Sequence, residues 1–66
     1  MSAFEDLMAQ TDRESHEFTM SVRKLIQIAE TRGEVRRIEA VVSSATMELN
    51  AFADQLAVLR QTYTEA

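Results

Sequence analysis

The chain has 66 residues, seven Lys and Arg against eleven Asp and Glu, one histidine, no cysteine, no proline and a single glycine. One small domain fits this length, and such a domain typically buries only about 60% of the surface its unfolded chain exposes. Without cysteines the disulfide-rich secreted class is excluded, the net charge of −4 disfavours nucleic acid, and no apolar run approaches the roughly 18 residues of a membrane span.

The amino-terminal "MSAFEDLMAQ" is acidic where a signal peptide is basic, so the expected location is cytoplasmic. Within it, Ser2 stands three residues ahead of Glu5. This is a capping box, in which hydroxyl and carboxylate satisfy orphan amides of a first helical turn. The spacing predicts a helix over about 3–32, with Arg23, Lys24 and Arg32 toward its carboxyl end, where cations complement the helix dipole. Its apolar stripe runs Phe4, Met8, Thr11, Ser15, Phe18, Val22, Leu25 and Ala29. The middle, "TDRESHE", is polar.

Gly33 falls at the midpoint of the chain and fits the left-handed position that ends many helices. A turn is predicted at about 32–34, followed by a helix over about 35–63. Thr31 and Glu34 form a second capping box, against which Arg36 and Arg37 lie unfavourably for a helix amino terminus. In the second half Val35, Ile38, Val42, Ala45, Leu49, Phe52, Leu56, Leu59 and Tyr63 recur at alternating steps of three and four, a seam of a and d positions over four heptads.

Folding the stripes against each other about the midpoint pairs Phe4 with Tyr63, Met8 with Leu59, Phe18 with Leu49, Val22 with Ala45, Leu25 with Val42 and Ala29 with Ile38, every step in phase. Small Ser15 then faces Phe52, as interdigitating layers require. The expected fold is all-α: one antiparallel two-helix hairpin over 1–66 with a tight turn at Gly33. Each helix has about 29 residues and is roughly 44 Å long. The hairpin core is assigned to Phe4, Met8, Phe18, Val22, Leu25, Ile38, Val42, Leu49, Phe52, Leu56, Leu59 and Tyr63. The rival is one continuous coiled-coil helix that tolerates Gly33 at a cost of about 1 kcal/mol.

Catalysis finds no foothold, and no cofactor or metal is expected. His16 lies between Glu14 and Glu17 in the polar stretch and reads as a solvated face rather than a metal ligand. Acid pairs such as Glu5–Asp6 lack a cleft that would shift them toward acid–base work. The cations Arg23, Lys24, Arg32, Arg36 and Arg37 cluster near the turn, while acids dominate the other end; that group suits docking of an acidic partner better than nucleic acid.

One edge of the expected hairpin keeps apolar side chains outside the seam: Leu7 and Ile28 beside the first stripe, Val41, Ala51 and Val58 beside the second. The opposite edge carries Glu5, Asp12, Glu39 and Arg60. A thin core with a one-sided apolar edge is the pattern of a helix-docking module, so these five residues are the expected partner-binding face.

The opening "FEDLMAQTDRE", through Phe4, Glu5, Asp6 and Leu7, and the closing "LAVLRQTY", through Leu56, Leu59 and Tyr63, resemble the small co-chaperones of type III secretion needle subunits, the YscE/SsaE-like family. The resemblance implies a cytoplasmic, non-enzymatic protein that pairs with a larger helical-repeat chaperone, the two together keeping the needle subunit monomeric before export. It assigns no binding residue. Two other classes fit the residues: a homodimeric coiled coil, structural or regulatory, and a secreted needle or rod subunit, which typically has a proline-containing turn that this chain lacks. Alone, the chain is expected to self-associate as a dimer or higher.

Overall fold

A computed structural model describes residues 2–64. It contains two helices, α1 (Ala3–Ile28) and α2 (Arg32–Thr64), joined by the three residues 29–31. The helical hairpin read from the periodicity is the observed architecture.

Helix α1 starts where the first box places it. Ser2 is extended (φ −97°, ψ 152°), its hydroxyl accepts from the Glu5 N–H at 3.1 Å, and its carbonyl accepts from the Asp6 N–H at 3.1 Å. Glu5 and Asp6 in the first turn add favourable charge at the positive end of the dipole. Threonine, a weak helix former, is accommodated along both helices by bonding its hydroxyl back to its own helix. Thr11 donates to the Leu7 carbonyl at 2.8 Å, Thr46 to Val42 at 2.8 Å and Thr62 to Val58 at 3.0 Å.

The turn lies earlier than the glycine suggests. Helix α1 ends at Ile28, and Ala29 leaves the helix with φ −65° and ψ 129° while its N–H still donates to the Leu25 carbonyl at 2.9 Å. Thr31 then caps α2, which makes Arg32 and Gly33 its first helical residues. Gly33 has no positive φ. The expected left-handed turn at Gly33 and the boundary at residue 32 are therefore corrected: Arg32 opens the second helix instead of closing the first. Two signals competed for the same four residues, and the capping box prevailed because one carboxylate satisfies two orphan amides there.

The arms diverge from this turn. The 26-residue and 33-residue helices span about 39 and 50 Å at 1.5 Å per residue. Two helices in contact along their length would measure roughly 15 Å across their Cα atoms, from an interaxial spacing of 8–10 Å and a Cα radius of about 2.3 Å. The observed Cα extents are 53 × 27 × 12 Å. No described residue is buried. The expected core of twelve residues is thus an open seam in the single chain: three residues of loop set the arms at an angle that their own side chains do not close.

Candidate functional site: an open apolar seam

Coverage along the seam is uneven and is least at its outermost pair. Val22, Ala29, Ile38 and Ala45 are half-covered, and they are two of the cross-helix pairs expected from the heptads. Farther out Phe18 and Met8 are 45% and 46% exposed, and the outermost pair, Phe4 and Tyr63, reaches 71% and 73%. Between them Leu49, Phe52, Leu56 and Leu59 are exposed as well. The spacing that gives a seam is present, and the seam residues that are half-covered all lie in the half of the chain nearest the turn.

Ala29 and Ile38 form the bridge between the arms, since they line a groove on each face of the hairpin. One groove, of about 260 Å³, is walled by Leu25, Ile28, Ala29, Ile38 and Val41 with Glu34 and Arg37. The other is walled by Ile26, Ala29, Val35, Ile38 and Val42 with Glu39 and Ser43. A third shallow surface runs along the outer end of α2, on Ala53, Leu56, Ala57, Leu59, Arg60 and Tyr63, with no α1 residue contributing.

Of the five residues expected to bind a partner, the structure brings together two. Ile28 and Val41 share the first groove. Leu7, Ala51 and Val58 are exposed farther out along the arms, so the edge is two apolar strips that widen apart instead of one continuous patch. Ile26, which extends the apolar surface onto the other face, was not singled out from the sequence. The signal was available in "KLIQIAE", where an isoleucine directly after Leu25 broadens the stripe beyond its a and d positions.

The polar device of the site is the turn itself. Glu34 Oε1 accepts from the Glu30 N–H at 2.9 Å and the Thr31 N–H at 3.2 Å, and the Glu34 N–H donates to Thr31 Oγ1 at 3.1 Å. These bonds hold the Glu34 carboxyl below its ordinary value of 4.5. The Glu30 amide contributes most and the Thr31 amide next, with smaller support from the Thr31 hydroxyl and the Arg37 charge. Glu34 also belongs to the groove wall, so the cap fixes where the two apolar strips meet.

Among the described residues no group of three or more His, Cys, Asp or Glu stands close enough together to hold a metal ion, and no helix is long and apolar enough to cross a membrane. The arrangement offers apolar area, a fixed angle and surface charge. No family model, curated protein or solved structure matches the chain.

Proposed function

We propose that this protein works without chemistry, as a helix-docking module that completes its fold on the helices of a partner and stabilises that partner in return. One observation carries the reading. The chain exposes 6246 Å² of surface, whereas a compact monomer of 7.5 kDa exposes about 4,200 Å² by the usual size scaling. The excess, about 2,000 Å² of polar and apolar surface together, includes the exposed side chains of the apolar seam, and a row of large apolar side chains left open in this way marks an interaction site. Two helices splayed from a capped turn present their seam as a slot for one or two partner helices, the helix-in-groove mode of recognition.

The specific form of this reading is the co-chaperone suggested by "FEDLMAQTDRE" and "LAVLRQTY". In that form the partner is a larger helical-repeat chaperone in the cytoplasm, and the pair holds a type III secretion needle subunit before export. The test is co-expression with such a chaperone and affinity recovery of the pair, using Val41→Glu and Val58→Glu. Either change puts an unpaired carboxylate into an apolar contact, so recovery should fail while each variant alone stays as helical as the parent. Full recovery by both variants would remove this face from the reading, and a parent chain that recovers no helical-repeat chaperone would overturn the co-chaperone form.

A further inference from the structure

We infer that, before any other partner is met, the open seam is covered by a second copy of this chain lying antiparallel, so that the turn of each hairpin sits against the open end of the other. The inference rests on the reading that the seam is built to be covered, and adds what covers it and in which direction.

Area supplies the first argument. Two copies that each covered an excess of about 2,000 Å² would bury about 4,000 Å² together, within the range of obligate homodimers, which extends from about 2,000 to 5,000 Å². Two hairpins side by side make a four-helix bundle, in which apolar stripes of all four helices face a common core. The single hairpin buries none of its described residues.

Charge supplies the direction, independently. The turn half, residues 20–45, holds five cations against three acids, an excess of two positive charges. The outer arms, residues 2–19 and 46–64, hold two cations, Arg13 and Arg60, against seven acids, an excess of five negative charges. A parallel pair would stack like against like at both ends. An antiparallel pair sets the basic turn of each copy between the acidic arms of the other, twice over by symmetry. The same polarity fits the shape: the arms stand farthest apart at the acidic end, where the seam is least covered and space for another copy's turn is greatest.

The chain has no cysteine, so a single spin label on Glu30→Cys reports on one site per copy. Antiparallel pairing expects a distance between the two labels near the length of the shorter helix, roughly 40 Å. Parallel pairing would bring them within roughly 20 Å, about two interaxial spacings. Sedimentation of the same sample should give twice the 7.5 kDa mass. Reversing charge at the turn, with Arg36→Glu and Arg37→Glu together, should weaken the dimer about tenfold or more. Acids there complement the amino end of α2, so its helicity should persist. Mixing this variant with one carrying Glu14→Lys and Glu17→Lys should recover the association. A monomer at all concentrations, a short label distance, or no effect of charge reversal would overturn the inference. A monomer that still captures a chaperone would do so while leaving the proposed function intact, and a dimer that captures nothing would do the reverse.

Discussion

Thr31 and Glu34 cap one another across the first turn of α2, hydroxyl to amide at 3.1 Å and carboxylate to amide at 3.2 Å, and the same carboxylate oxygen reaches back to the Glu30 amide at 2.9 Å. Three donors that would otherwise lie idle at the helix start are thereby satisfied, and the direction of the chain between the arms is fixed. Thr31→Ala should cost about 1 kcal/mol of helix stability. For a chain of this size that is a drop of about 4–8 °C in melting temperature, to be read by circular dichroism. An unchanged midpoint would mean that the cap does not set the turn.

The same geometry gives a pH dependence with a definite sign. The folded-state pKa of Glu34 is lowered. The ionised carboxylate therefore stabilises the fold fully above its unfolded value of about 4.5, and this contribution is lost as pH falls through the folded value. Comparing the parent with Glu34→Gln cancels the effect of the other carboxylates. At pH 7 the parent should melt higher, and the gap should close toward pH 3. A gap that is constant across this range would contradict the assignment of the lowered pKa to the cap.

Gly33 gives a test that runs against intuition, because its position at the midpoint suggests a turn glycine. It is helical, without positive φ, and a Cβ added there would meet only Thr31 Oγ1 at 3.9 Å, an ordinary contact. Gly33→Ala should therefore raise stability by about 0.4–1 kcal/mol, by restricting the unfolded chain. A left-handed glycine would instead be destabilised by the same change. Thermal melting decides between them by the direction of the shift.

The seam residues should behave differently in the single chain and in the assembly. Phe52 is half exposed in the hairpin, so Phe52→Ala should cost little in a dilute monomer. Buried in a bundle core, it should cost about 3–5 kcal/mol. The expected result is a variant whose dilute melting curve matches the parent but whose stability no longer rises with concentration. A large loss already in the dilute monomer would show that the arms close on each other without a partner.

The two-helix plan was legible in the sequence because heptad spacing, the Ser2 cap and the absence of proline all point the same way. Of the five residues that the single chain half-covers, Val22, Ala29, Ile38 and Ala45 lie on the expected seam and Met20 lies off it. Read from the sequence, the turn falls about three residues late, because Gly33 and the Thr31–Glu34 box are both valid helix punctuation. Counting the amides each satisfies would have favoured the box. The open angle was not legible, for a physical reason: heptad spacing states which faces are apolar but not whether the chain that carries them is the chain that covers them. For the same reason the edge formed by Leu7, Ile28, Val41, Ala51 and Val58 looks like one strip in the sequence, whereas only Ile28 and Val41 share a groove.

That this chain completes its fold only by association is tested most directly by thermal melting of the unmodified protein over about a thousandfold range of concentration. Helicity followed by circular dichroism, with mass from sedimentation at each concentration, should show a midpoint that climbs steadily as the chain passes from monomer to assembly. A monomer with a high midpoint, the same at every concentration, would contradict it.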